Sequence, residues 1–282
     1  MSYNIINAII NLISNPILKL RQYYAARNRA NSVGGALEEY IKDLFAGTIK
    51  EDNEQLRLRT ISKCFSYTGN QNNPPDCILK GGDAIEVKKL ESRGAAIALN
   101  SSYPKAKLFS DSSMITKKCR NCEDWVEKDL IYTVGVVNEN TLKSLCMVYG
   151  IDYAASADIY ERVKTKVSTW INAIPDLELS ETNELGRVNR VDPLGITYLR
   201  IRGMWNIENP MKVFEYVYQS DENKEFNFMA IINVNKYNTF SNVGELEKLV
   251  GQVDGLNISD VEIKTPDNPA ELKQAKLITF TV

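Results

Sequence analysis

Histidine is missing from all 282 residues of the chain. It is the usual general base near neutral pH and the commonest metal ligand. Its absence excludes Ser-His-Asp and Cys-His triads, the His-Glu-x-x-His zinc site and histidine-based nucleases. Any chemistry must run on carboxylates, lysines, hydroxyls, thiols or a hard metal ion held by oxygen. An excess of one charge is lacking too, since 34 Lys+Arg stand against 36 Asp+Glu. A basic surface for a polyanion therefore has to be local and balanced by acid elsewhere. No long hydrophobic run is present near the N-terminus, where Asn7 and Asn11 interrupt Ile5 to Ile13. That stretch is too short to span a bilayer and lacks a basic leader, so a cytosolic protein without membrane association is expected. Five cysteines, an odd number in a long chain, fit reduced thiols better than a disulfide framework. Cys119 and Cys122 have zinc-knuckle spacing, but no histidine or second cysteine pair completes four ligands, so free thiols fit better.

Along the chain, Ile5, Ile6, Ile9, Ile10 and Ile13 share a helical face, and Asn15-Pro16 resets the chain before a second short helical piece. The polar break 27–32 supplies an N-cap for a stronger helix, with Val33, Leu37, Tyr40, Ile41, Leu44 and Phe45 on one face and Gly47 at its end. Residues 50–72 are polar and mixed, with a strand expected near Arg59 to Tyr67. Cys77 to Lys80, Gly81-Gly82-Asp83 and Ala84 to Lys88 spell a β-hairpin. Residues 92–128 read as loop-rich and basic, Leu130 to Val137 as a buried strand, and Leu142 to Ile151 as another apolar element. A helix is expected over Ile159 to Ile174, strands at Gly195 to Trp205 and Phe226 to Val234, a short helix at Glu245 to Val250, and a closing strand at Leu277 to Val282. No repeat or linker divides the chain, and mixed strands and helices favour one α/β domain with elaborations.

The chemically informative feature is Pro75-Asp76, nine intervening residues, then Glu86-Val87-Lys88. On a strand Glu86 and Lys88 project together, while Ile85 and Val87 point into the core. A three-residue turn at Gly81-Gly82-Asp83 pairs Lys80 with Ala84 and sets Asp76 opposite Lys88, on the shared face. A two-residue turn would put Asp76 on the wrong side. Side-by-side carboxylates repel unless a proton or cation sits between them. Such oxygen donors suit Mg²⁺, and a lysine beside the metal can orient a water and offset charge on a phosphorane-like transition state. This is a kit for phosphodiester hydrolysis without histidine. The bare pattern is common, however, and an Asp76 turn cap with a solvated Glu86/Lys88 strand face is the plain alternative.

The stretch PPDCILKGGDAIEVKK resembles the PD-(D/E)xK nuclease core. Together with NIINAIINLISNPILKL and NRANSVGGALEEYIKDLF, it is similar to the NgoPII-type family of type II restriction endonucleases. The resemblance runs over most of the chain and is sharpest in residues 4–110. It implies a restriction-endonuclease-like α/β core, a bacterial cytoplasmic enzyme, Mg²⁺-dependent cleavage of double-stranded DNA at GGCC, 5′-phosphate and 3′-hydroxyl ends, and a companion methyltransferase. By motif position, Asp76, Glu86 and the Val87 carbonyl would hold the metal, and Lys88 would be the catalytic lysine. A further acidic residue often comes from the preceding helix. Glu38 lies at the border of the apolar face and Glu39 points away, so Glu38 is the better candidate. A repair or junction-resolving nuclease and a non-catalytic DNA-binding module are the rival readings.

For DNA contacts, the segment leaving the catalytic strand offers Arg93, Asn100, Ser101, Lys105 and Lys107, placed to meet a phosphate backbone or, equally, to form a solvated loop. Arg200 and Arg202 share a strand face, and arginine bidentate to guanine is the commonest base-specific contact. A surface salt-bridged strand is an equally good account of them, and Lys236 is a weaker reader. The expected division is 1–30 as N-terminal helices, 33–150 as catalytic core and 151–282 as the recognition and sheet-completing part. A palindromic target favours a two-fold homodimer, with residues 3–30 one place for its interface.

Overall fold

The computed structural model describes residues 3–70 and 73–282, with only the backbone at Asn70, so residues 71 and 72 of the polar stretch lie outside it. The first helix, α1 (Ile5–Ser14), starts where the Asn4 side chain accepts from the backbone of Ile6 and Asn7 and the Asn7 side chain answers. A short α2 (Leu20–Ala25) follows. The next helix, α3 (Val33–Ala46), is capped by Ser32 and stopped by Gly47 in the left-handed region, as the sequence pattern implies. The strand expected over Arg59 to Tyr67 is a helix for most of its length, α4 (Glu54–Cys64). Only from Phe65 does the chain extend.

The strands are β1 (Phe65–Asn70), β2 (Asn73–Leu79), β3 (Ala84–Leu90), β4 (Ile97–Ala98), β5 (Lys107–Phe109), β6 (Glu127–Asn138), β7 (Thr141–Tyr149), β8 (Glu178–Leu179), β9 (Gly186–Asn189), β10 (Leu199–Ile201), β11 (Asn206–Ile207), β12 (Asn227–Asn233), β13 (Asn257–Lys264) and β14 (Leu272–Thr281). Among the described residues, a large mixed sheet has the order β1-β2-β3-β6-β7-β12-β14-β13, with β5 on β6. The β3–β6 and β7–β12 pairs are parallel and the other neighbours antiparallel. Strands β6, β7 and β12 are buried on both faces, so they read as continuous apolar runs. Helices α1–α3 pack on one face, with Ile5, Ile9, Leu12, Leu37, Ile41 and Phe45 meeting Ile85, Val87 and Ile131. The other face carries Tyr132, Leu108, Tyr153 and Phe214. This is a mixed α/β architecture, with a central sheet flanked by helices.

The strand expected over Gly195 to Trp205 is confined to β10, which joins β8 and β9 in a small separate sheet, while β11 pairs with β4. A helix, Ala157–Asn172, leads into that small sheet. Among the described residues, no helix is long and apolar enough to cross a membrane.

Candidate active site

The β2–β3 hairpin pairs Cys77 with Ile85 and Ile78 with Ala84. Its turn is Lys80-Gly81-Gly82, with Gly81 left-handed at φ 66° and the Leu79 N–H donating to the Asp83 carbonyl at 2.9 Å. The expected Lys80–Ala84 pairing is therefore shifted by two residues. Continuing the observed register sets Asp76 beside Glu86 rather than Lys88. A shift of two leaves side chains on the same face, so Asp76, Glu86 and Lys88 still converge. Gly69 on β1 backs this arrangement: a Cβ there would lie 2.5 Å from the Pro75 carbonyl oxygen and 3.1 Å from that of Asp76. Any side chain would push the Asp76 strand away.

Asp76 Oδ2 accepts the Val87 N–H at 2.6 Å. An extended residue aims its N–H and C=O at the same edge, so the Val87 carbonyl faces the Asp76 side too. Burial, then the Glu86 charge, pushes the Asp76 carboxyl up to about 7, against the Val87 hydrogen bond and the Lys88 charge. Glu86 is only 9% exposed. Its Oε1 lies 2.6 Å from Lys88 Nζ, while its buried Oε2 has no hydrogen-bond partner among the described residues. Burial disfavours the Lys88 ammonium, yet Glu86, with help from Asp76 and Glu38, holds its pKa above the ordinary lysine value. A buried and a half-buried carboxylate, the buried one with an orphaned oxygen, make an electron-rich pair that a cation would relieve. No group of three or more His, Cys, Asp or Glu side chains is gathered into a ligand set among the described residues. A carboxylate pair with a backbone carbonyl instead fits a hard cation that keeps several waters.

These side chains open onto a cavity of about 250 Å³, whose wall also includes Asn100, Ser101, Ser102, Tyr103, Lys105, Met114 and Tyr132. Of the predicted contacts, Asn100, Ser101 and Lys105 thus share a cavity with Asp76, Glu86 and Lys88. Glu38 is half-buried on α3 and close enough that its charge acts on Asp76 and Lys88. Glu39 is committed elsewhere, to Lys42 at 2.8 Å and Arg57 at 2.5 Å. Arg93 lines a different cavity and lies 4.0 Å from Glu222. Lys107 sits on β5, outside this lining, paired with Glu127 at 2.6 Å. Arg200 and Arg202 are exposed on and beside β10, and both bind Glu184, at 2.7 and 2.5 Å. Lys236 is held between Asp83 and Asp129, at 2.8 and 2.6 Å. Sequence reasoning missed Gly69 and Tyr132, whose roles depend on which strands become neighbours.

The N-terminal helices turn their apolar residues into this chain's own core. Cys119 is buried and Cys122 half-buried, both as free thiols.

Residues 3–264 match the sequence profile of the NgoPII restriction endonuclease family. The chain is also 55% identical over 278 residues to the type II restriction enzyme NgoPII of Neisseria gonorrhoeae, covering 98% of this chain and 99% of that one. No solved structure matches the chain. Identity of this extent, over a match that spans nearly the whole chain, makes it a member of the NgoPII restriction endonuclease family, a type II restriction enzyme.

Proposed function

We propose that this enzyme has a PD-(D/E)xK catalytic centre and hydrolyses double-stranded DNA with Mg²⁺, within GGCC, leaving 5′-phosphate and 3′-hydroxyl ends. The observation that carries the reading is the orphaned, buried Glu86 Oε2 beside Asp76, with Lys88 at 2.6 Å from the other Glu86 oxygen. Asp76, Glu86 and the Val87 carbonyl would hold the cation, and Glu38 would add negative charge from α3. Oxygen donors of this kind, in a chain without histidine, favour Mg²⁺ over softer metals. When bound, the cation supplies Lewis acidity and a water of lowered pKa. Lys88 orients the attacking water and offsets charge at the phosphate. Asn100 and Ser101, with their hydroxyl, amide and backbone groups at the cavity wall, contact the strand being cut.

GGCC is the target implied by the family resemblance, and a palindrome is met most simply by a two-fold homodimer. In the cytoplasm of a bacterium, a companion methyltransferase would protect the host's own sites. Residues 33–150 form the catalytic part of this reading and 151–282 the recognition part. Arg200 and Arg202 are guanine-reading candidates there, and a base edge would have to compete with Glu184 for them. Arg93 and Lys107, outside the cavity, would serve the flanking backbone at most.

The test is digestion of methylated and unmethylated plasmid with Mg²⁺ or EDTA. Discrete bands from unmethylated DNA alone, sized to GGCC sites and lost in EDTA, are expected. Smears, or a preference for branched DNA, would refute the restriction reading. Asp76→Ala and Lys88→Ala should each abolish cutting while the fold and DNA binding survive; undiminished cutting by both would sink the site assignment.

A further inference from the structure

Lys105 lines the same cavity as Asp76, Glu86 and Lys88, and its placement is unusually constrained. The Tyr132 hydroxyl accepts the Lys105 N–H at 2.8 Å and donates to the Lys105 carbonyl at 3.2 Å. Tyr132 is the register partner of Glu86 across the parallel β3–β6 pair. The latch therefore ties Lys105 to the residue beside the catalytic carboxylate. From below, Gly150 lets the segment lie close: a Cβ there would sit 2.5 Å from the carbonyl oxygens of both Lys105 and Ala106. A charged group acts on a transition state only when held in place beforehand, and here the backbone is fixed from two sides.

The Lys105 ammonium makes no ion pair among the described residues and instead lies over the Tyr103 ring, 4.9 Å from its centroid. Glu161 is the acid whose charge reaches it, without closing an ion pair. Burial, with Lys164 nearby, lowers the Lys105 pKa below the ordinary lysine value. The contrast with its neighbours is sharp: Lys107, Lys128 and Lys236 each hold a carboxylate. A half-buried cation without a counter-ion is costly unless a ligand supplies the negative charge. The cavity has room for a phosphate and a few waters, at about 250 Å³.

We propose that Lys105 is a second catalytic lysine, whose ammonium binds a non-bridging oxygen of the scissile phosphate and offsets the charge that builds there during attack. In that step a water oxygen bonds to phosphorus and the bond from phosphorus to the 3′-oxygen breaks. The attacking water gives up its proton to bulk solvent, and the leaving 3′-oxygen takes one up from it. Lys105 stays protonated and forms no covalent bond. The inference rests on the nuclease reading of Asp76, Glu86 and Lys88.

Single-turnover cleavage of a plasmid that the wild type cuts, with full-length protein in saturating excess, tests it. Lys105→Met, which keeps the stem over Tyr103, should cut about 100-fold slower, the usual loss on removing one charge-stabilising donor. DNA binding in EDTA should weaken less than tenfold. Lys105→Arg should cut at least tenfold faster than Lys105→Met. If Lys105→Met does not fold, as judged by its melting curve, Lys105→Gln carries the same thresholds. A rate within tenfold of wild type for the uncharged variant, or equal rates for the Arg and uncharged variants, overturns the proposal while Asp76→Ala remains inactive. Cutting at the wild-type rate by Asp76→Ala would instead overturn the nuclease reading beneath it.

Discussion

Replacing Arg57 by Met should be among the most damaging single changes outside the cavity. Arg57 is 1% exposed and binds Asp43 at 2.7 Å, Glu39 at 2.5 Å and Glu54 at 3.0 Å, fastening α4 to α3. Asp43, fully buried, also accepts the hydroxyls of Tyr24 at 2.8 Å and Thr48 at 2.5 Å. Removing the guanidinium leaves that carboxylate with two neutral donors and with Arg29 at 4.0 Å. Stripping one partner from a buried pair costs about 3–5 kcal/mol, and Arg29 places this case near about 3. For a chain of 282 residues, a typical unfolding entropy of about 2 cal/mol/K per residue converts that into a fall in Tm of about 5 °C. Thermal and urea melts of the variant give the measurement. The double variant Asp43→Asn/Arg57→Met should be less destabilised than the two singles together by about 2 kcal/mol, because the orphaned charge has gone. Additive losses, or an Arg57→Met protein melting within 1 °C of wild type, would refute the argument. Cleavage at 25 °C should persist in the single variant, since α3 still carries Glu38.

Glu86→Gln should abolish cleavage yet raise the Tm in EDTA, by relieving the buried Asp76–Glu86 repulsion at a cost to function; a lower Tm would contradict it. Glu39 contributes pH-dependent stability: burial raises its pKa, but Lys42 and Arg57 outweigh burial and leave it below the ordinary glutamate value. Its contribution is therefore present above the unfolded value and lost as pH falls through the folded one. Glu39→Gln should cost about 1 kcal/mol at pH 7 and less at pH 3 in urea titrations; an equal cost at both pH values would refute this. Gly150→Ala should cost about 1–3 kcal/mol by overpacking against the Lys105 and Ala106 carbonyls, and should slow cleavage at saturating DNA; wild-type melting and rate would show that the close approach is dispensable.

The parts of the fold visible in the sequence are those where one local rule acts alone. Ser32 and Gly47 bound α3 because a cap and a left-handed stop need only their own residue types. The runs that become β6, β7 and β12 are legible because burial on both faces leaves no polar positions. Helix α4 is illegible for the opposite reason. Leu56 and Leu58 face solvent, and the helix is anchored by the Arg57 ion pairs rather than by an apolar stripe. Hydrophobic periodicity has nothing there to detect. The small sheet of β8–β10 misleads similarly: Leu194, Ile196 and Tyr198 stand at every second position ahead of β10 yet are exposed. Alternation marks a strand only when one face is covered.

The candidate site divides along the same line. Asp76, Glu86 and Lys88 sit on one hairpin, so period-two alternation brings them together however the turn is counted, provided the count changes by two. That is why the expected pairing of Asp76 with Lys88 was displaced to Glu86 while the shared face survived. Tyr132 and Lys105 are different in kind. They are 27 residues apart and joined through the Tyr132 hydroxyl, and Tyr132 shares the face of Glu86 because the two are register partners across the parallel β3–β6 pair. A parallel pairing is made by a crossover connection and leaves no turn signature between the strands it joins. Tyr132 therefore reads as one more apolar residue in a buried run, and Lys105 as one of several candidate backbone contacts in a basic loop. The tie between them becomes visible only once the strand order is known.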